Sequence, residues 1–375
     1  MTNEVTDAAV PLSGVAEAQV SITAADALGI TRQQRRATVW LLILSIALAA
    51  TVVMAVATGP VNISPTTVAG IIGNHVLGFP DEMPGAVSDG TIVWEVRLPR
   101  VVLGVCVGAG LAVCGMALQA MVRNILADPY LLGVNSGASS GAAAAILFGA
   151  GAGLGVHALP VSAFVGALIA SLLVYGVARS GGRVTSVRLL LSGVAVGYAL
   201  YALTSFLIFA SDNAEGARSV MFWLLGSLAL SGWGIPLGVV ASVTVLTVLL
   251  LLSVGRALDA LAVGDETARS LGIPPERLRI GLLVLVALCI GVLVAASGSI
   301  GFVGLVVPHM ARRLVGATHR RALPVAALMG AILLVWADVA ARTLLQPQEI
   351  PIGIVTALLG APFLLILVRK LHSIP

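Results

Sequence analysis

TRQQRRATVWLLILSIALAATVVMAVA, residues 31–57, sets the reading of the whole chain. Arg32, Arg35 and Arg36 stand directly before a run from Val39 to Ala57 that carries no charged side chain. At 1.5 Å per residue, about 20 apolar residues cross the roughly 30 Å hydrocarbon core of a bilayer. The run is therefore a membrane-spanning helix, and its basic flank belongs in the cytoplasm. Similar runs recur to the C-terminus, with spans expected near residues 39–58, 98–121, 130–150, 158–179, 188–210, 234–254, 278–297, 302–316, 323–343 and 352–370. The eighth is short and should end within the bilayer depth.

Composition agrees with an all-α polytopic membrane protein of about ten transmembrane helices. Of 375 residues, 58% are apolar and 10% charged, against about 25% charged in soluble domains. Continuous Ala, Leu, Val and Gly runs exclude a barrel, whose strands would alternate in character over about ten residues. Lys370 is the only lysine, so there is no Walker A loop and no Schiff-base lysine, and ATP hydrolysis by that route is excluded. Cys106, Cys114 and Cys289 lie inside apolar runs without metal-ligand spacing, which reads as small packing residues, with no disulfide and no metal site. The net charge of +4 reflects arginine in membrane loops and carries no nucleic-acid signal.

Topology follows by counting. With ten spans, the cytoplasmic side holds Arg32, 35, 36, 123, 179, 183, 188, 256, 269, 277, 279, 312, 313, 320, 321, 369 and Lys370, and the outer side keeps Arg97, Arg100, Arg218 and Arg342. That asymmetry supports an even number of spans with both termini inside. Residues 1–36 read as a disordered cytoplasmic tail: their first thirty are polar and acidic (Glu4, Asp7, Glu17, Asp26), with no signal-peptide core. Residues 37–375 form the ten-span domain.

Two stretches depart from simple hairpins. The outer segment 212–231 contains SVMFWLLGSLAL, too short to cross, which reads as a re-entrant or interfacial helix with Trp223 at headgroup level. The cytoplasmic segment 255–279, GRALDALAVGDETARSLGIPPERLR, reads as two short surface helices broken at Gly264 and at Gly272 to Pro275. Its interleaved apolar residues suggest a docking surface.

Several polar and small residues are candidates for function. Gly133, Gly137 and Gly141, with Gly104, Gly108 and Gly115, give smooth helix faces that serve either close packing or a wide pathway. Asp338 precedes Arg342 by four residues, the favoured order for a helical ion pair. A proton relay would want further mid-span carboxylates, and none is present. Arg97 and Arg100 flank Leu98 and Pro99 and serve either as headgroup anchors or as docking groups for an acidic partner. His309 is either a ligand or switch, or a hydrogen-bonded packing residue.

RLPRVVLGVCVGAGLAVCGMALQ (97–119), RNILADPYLLGVNSGASSGA (123–142), GDETARSLGI (264–273), SGSIGFVGLVVPHMARRLVG (297–316) and EIPIGIVTALLGAPF (349–363) together resemble the FecCD permeases of type II ATP-binding-cassette importers. That family includes siderophore, haem and vitamin B12 permeases. Ile125 stands where the family usually has proline. The resemblance implies a dimer, with a second copy or a related chain, whose path runs along the dimer axis. It implies two separate ATP-binding subunits that hold ATP and Mg, leaving this chain without cofactor or catalytic residues. It also implies an extracytoplasmic substrate-binding protein, and a setting among membrane lipid in the cytoplasmic membrane.

By the same resemblance, Gly264, Asp265, Glu266, Arg269, Leu271 and Gly272 are coupling residues. Arg97, Arg100 and Arg342 dock the binding protein, and Asn135, Ser136, Thr185 and Ser186 narrow the path on the inner side. The implied mechanism is alternating access, with ferric siderophore as first cargo, haem second and cobalamin third. A gradient-driven secondary transporter is the alternative class. The lack of mid-span carboxylates and the polar segment 255–279 both favour the ATP-driven one.

Overall fold

The computed structural model describes residues 30–81, 84–180, 182 and 184–372. The expected tail through residue 29, and Arg183, lie outside these residues. Residues 30–36, expected in the tail, instead form the first turns of α1 (Ile30–Ala57). Next come α2 (Pro65–Leu77) and the short α3 (Val87–Thr91), which passes through a π turn, Ile92–Arg97, into α4 (Leu98–Val122). A 3₁₀ turn at Pro129–Leu132 precedes α5 (Val134–Phe148), and another at Ala152–His157 precedes α6 (Ala158–Arg179). Then follow α7 (Ser186–Phe209), α8 (Ala214–Leu224), α9 (Ile235–Ser253), α10 (Gly255–Val263), α11 (Asp265–Ser270), α12 (Pro275–Ser297), α13 (Val303–Val315), α14 (His319–Thr343) and α15 (Ile352–His372). No strand occurs among the described residues.

Every expected span coincides with a helix, but not all cross alone. Seven helical stretches among the described residues have the length and apolarity to span a bilayer: those of α1, α4, α6, α7, α9, α12 and α14. The second is longer than expected, running from Val87 to Val122 through the π turn. By contrast α5, with 15 residues, and α13, with 13, measure only about 22 and 20 Å.

Segment 298–302, which precedes α13, is unwound, and the bilayer supplies no water to its backbone. Tyr130 serves it: the phenol donates to Ile300 O and accepts from Ile300 N, both at 2.7 Å. Two other non-helical stretches pair nearby, through Ser227 N to Ser297 O (2.8 Å) and Gly353 N to Leu225 O (2.9 Å).

Helix α4 is buried along most of its length, and α12, α13 and α14 pack around it. In lipid there is no hydrophobic drive between helices, so association rests on close backbone approach. A Cβ on Gly108 would lie 2.2 Å from Gly330 O, and one on Gly115 would lie 2.0 Å from Gly304 O. On α5, a Cβ added to Gly137 would collide with Gly166 O and one added to Gly141 with Ser162 O. Both small faces are thus consumed in packing, and neither lines an open passage within the chain.

Side-chain contacts sort the arginines into two ends. At one end Gln33 accepts from Arg321 (2.7 Å), Asp259 holds His319 and Asp265 holds Arg279. At the other, the end of α1 meets Arg97 and Arg342. Arg321 and Arg279 thus fall at the opposite end of the bundle from Arg97 and Arg342, as the loop count groups them.

Candidate functional site

Segment 255–279 folds as the expected two short helices. They break at Gly264, whose φ of 158° and ψ of 164° form a conformation that only glycine adopts readily. The second break contains Gly272, at φ 76°. Beyond Gly264 the candidate coupling residues divide into two sets. Glu266, Arg269, Leu271 and Gly272 are exposed, with Val263 beside them. Asp265 turns the other way, into the bundle.

Asp265 accepts two bonds from Arg279, Nη1 to Oδ2 at 2.9 Å and Nη2 to Oδ1 at 2.6 Å. These bonds hold its carboxyl below the usual carboxylate range against the opposing effect of partial burial, with Arg123, 4.0 Å away, adding to the lowering. Arg279 itself is 1% exposed. It also donates to Ser186 Oγ (3.0 Å) and Met121 O (3.4 Å). Asp259 makes a second anchor for the short helices by accepting from His319 N (2.8 Å) and meeting His319 Nδ1 (2.6 Å) at the start of α14. The sequence pointed to the segment but not to these inward locks, because Arg279, Ser186, Asp259 and His319 lie far apart in the chain or bear no motif.

The four residues expected to narrow the path are not brought together. Thr185 is exposed and caps α7, accepting from Arg188 N at 3.4 Å. Ser186 is buried and donates to Met121 O (3.0 Å). Ser136 lies beside Gly197, eleven residues and about 16 Å along α7 from Ser186. Asn135 is half-buried, and its Oδ1 is buried with no partner. The polar contact between these helices is made instead by Ser140, 2.9 Å from Thr204 Oγ1.

The opposite end carries an ion cluster. Arg97, 5% exposed, is directed at backbone: it donates to Val56 O (2.8 Å), Ala57 O (3.1 Å) and Val61 O (2.6 Å). Arg342 is likewise buried and donates to Ala55 O (2.5 Å), while its Nε lies 3.5 Å from Asp338. Neither presents its guanidinium to the surface.

Arg100 reaches further out. Its Nε donates to both Asp338 oxygens (3.0 and 3.1 Å), and its two Nη groups donate to Glu349 at 3.0 Å each. Asp338 is therefore neutralised by an arginine on another span as well as by the expected Arg342. Glu349 is the member that spacing could not connect. The cluster borders a cavity of about 910 Å³ lined also by Phe222, Trp223 and Trp233. Close by, His75 stacks on Trp94 at 4.1 Å and Trp233 donates to Trp94 O at 2.6 Å.

Between the ends, His309 meets the edge of Phe363, with ring centroids 5.8 Å apart, and its Nε2 is buried without a partner. Cys106, Cys114 and Cys289 carry free thiols. Around Ile125 the chain makes an Asx turn, Asn124 Oδ1 accepting from Leu126 N at 2.9 Å.

Comparison with known proteins agrees with this architecture. The chain is 44% identical over 283 residues to the cobalamin import system permease protein BtuC of Halobacterium salinarum, covering 74% of this chain and 73% of that one. It is 42% identical to the Fe(3+)-citrate import system permease protein YfmD of Bacillus subtilis (74% and 81% covered). It is 43% identical to the hemin transport system permease protein HmuU of Yersinia pestis (74% and 83% covered). Among solved structures, an inward-facing metal-chelate type ABC transporter superposes with a TM-score of 0.76 at 34% identity, over 88% of this chain and 98% of that one. The sequence profile of the FecCD transport family matches residues 23–370, so this chain belongs to the FecCD transport family.

Proposed function

We propose that this chain is the membrane permease subunit of an ATP-driven importer that passes a bulky iron chelate, a ferric siderophore, into the cytoplasm. The observation that carries this reading is the pair of short helices, exposed on one side at Glu266, Arg269 and Leu271 and fastened into the bundle on the other. A chain without a P-loop lysine has to receive work from outside, and an anchored platform is the feature that can receive it. The named cargoes of its relatives, Fe(3+)-citrate, hemin and cobalamin, are all bulky metal complexes. Haem and cobalamin therefore remain the alternative cargoes.

Two such chains, or this one with a related subunit, enclose the path, and two ATP-binding subunits seat on the platforms, binding ATP and Mg. The arginine-rich end is cytoplasmic, with both chain termini. At the outer end a binding protein docks over Arg100. Arg97 and Arg342 support that surface from beneath by fixing the end of α1. The path contribution of Asn135, Ser136 and Thr185 stands on the family resemblance, whereas Ser186 belongs to the anchor. ATP binding shifts the population between two packings of the dimer, and only differential contacts in the two states can bias it.

The test is uptake of labelled ferric siderophore, haem and cobalamin into vesicles holding this chain with its ATP-binding subunits and loaded binding protein. ATP-dependent uptake of the siderophore alone is expected. Uptake of haem or cobalamin in its place would reassign the cargo. Uptake on an ion gradient without the ATP-binding subunits would overturn the importer reading.

A further inference from the structure

We propose that Arg279 is the joint through which movement of the exposed short helix α11 is passed to α4, α7 and α12, a proposal that rests on the permease reading above. Three span ends converge on this one guanidinium. It stands in the first turns of α12, it donates to Met121 O in the last turn of α4, and it donates to Ser186, the first residue of α7. Met121 O lies among the last carbonyls of α4, which have no partner within the helix. Ser186 Oγ and Arg279 Nε supply the missing donors. The fourth member is α11, whose first residue, Asp265, accepts both Nη groups.

Such a group is suited to transmit displacement. A guanidinium carries its donors in a fixed plane and keeps its charge, so the four joined helices have one relative arrangement that satisfies all of its bonds. Sliding α11 away would break two charge-assisted bonds and strand a buried cation, an arrangement far costlier than moving the joined helix ends together. A partner that pushes on Glu266, Arg269 and Leu271 therefore moves the inner ends of α4, α7 and α12 as one piece. Asp259 and His319 join the preceding short helix to α14 separately, so the platform has a second attachment that does not depend on Arg279.

The experiment places spin labels at Ser270→Cys, an α11 position outside the residues the partner pushes on, and at Val187→Cys, both exposed, in a cysteine-free background reconstituted in lipid nanodiscs. The distance distribution between them should be narrow, and unchanged when the ATP-binding subunits and ATP are added. Arg279→Lys keeps the charge but loses the fork. It should broaden the distribution in the isolated chain and lower cargo moved per ATP by roughly tenfold, the order of a coupling mutation, while the ATP-binding subunits still bind. Ser186→Ala, a milder change, should lower cargo per ATP in the same direction.

A distance that changes with ATP in the parent chain would overturn the joint, as would an Arg279→Lys chain with a narrow distribution and normal coupling. The distance in the isolated chain judges the joint alone. Failure of the ATP-binding subunits to associate with the parent chain would instead count against the permease reading.

Discussion

Asp338 and Glu349 grip the same guanidinium, each through two hydrogen bonds of 3.0–3.1 Å, yet their removal should differ several-fold in cost. The side chain of Asp338 is 3% exposed and that of Glu349 is 48% exposed. Asp338→Asn keeps the shape but removes the charge that compensates Arg100 and the buried Arg342. Breaking a buried pair by neutralising one partner costs about 3–5 kcal/mol. Glu349→Gln acts on a pair half open to solvent, where exposed ion pairs are worth about 0.2–1 kcal/mol. The assay is reversible unfolding in mixed detergent micelles, read by tryptophan fluorescence. Trp336 lies two residues from Asp338 and donates to Thr51 on α1 (3.2 Å), so it reports this junction directly. Adding Arg100→Gln to Asp338→Asn should recover part of the loss, since a neutral pair no longer strands that cation. Equal costs for the two single variants, or a larger one for Glu349→Gln, would refute the claim that burial sets the weight of these contacts.

Asp265 has its native pKa depressed, chiefly by the Arg279 hydrogen bonds. Its anchoring is therefore present above the ordinary carboxylate range near 3.9 and lost as pH falls through the lowered native value; hydrogen-exchange protection of residues 264–272 should show that loss, and Asp265→Asn should abolish the dependence. Gly115→Ala drives a Cβ to 2.0 Å from Gly304 O and should destabilise by about 1–3 kcal/mol. Gly281→Ala, where nothing lies within 4 Å, should be neutral or stabilising in the same unfolding assay. Tyr130→Phe strips both partners from Ile300 in the unwound stretch and should cost about 1–3 kcal/mol per orphaned group, seen as a lower midpoint of unfolding. Arg97→Lys retains the charge but cannot reach Val56, Ala57 and Val61 together, so stability should fall, and any loss of affinity for the binding protein should follow that loss of stability. A weakened affinity at unchanged stability would return Arg97 to the docking surface.

Hydrophobic run length and basic-loop alternation made the spans legible, because both are one-dimensional properties of a chain in a bilayer. Helix α8, with Trp223 half-buried, and the break at Gly264 were legible for the same reason. The limits of α4 were not, since a π turn at Ile92–Arg97 leaves no mark in apolar periodicity. The candidate sites were legible as places and not as contacts. Arg97 and Arg100 are three residues apart and look alike in sequence. Yet one serves backbone carbonyls and the other a pair of acids, a difference fixed by partners 36 to 41 and 238 to 249 residues away. Asp265 and Glu266 are adjacent and face opposite ways because the helix begins between a bundle and a surface.

The same chemistry recurs at both ends of the bundle. Arg97 and Arg342 supply donors to Ala55, Val56 and Ala57 at the end of α1, and Arg279 does so for Met121 at the end of α4. These are C-terminal helix carbonyls, which lack intrahelical partners and carry the negative end of the helix dipole. Near a bilayer, water cannot be relied on to satisfy them. A lysine tip bears three donors on one atom, whereas a guanidinium bears five spread over a plane and can serve two carbonyls and a carboxylate at once. A chain with one lysine has thus committed its cations to the side chain that can cap helix ends, and the positive-inside count conceals that structural use. At the end that holds Arg97 and Arg342 the capping fixes a loop and leaves Arg100 with Glu349 at the rim. At the end that holds Arg279 it leaves Asp265 as a handle by which the exposed helix α11 holds the capped ends. The difference between a static brace and a moving joint is therefore whether the cap also binds a segment that a partner can push.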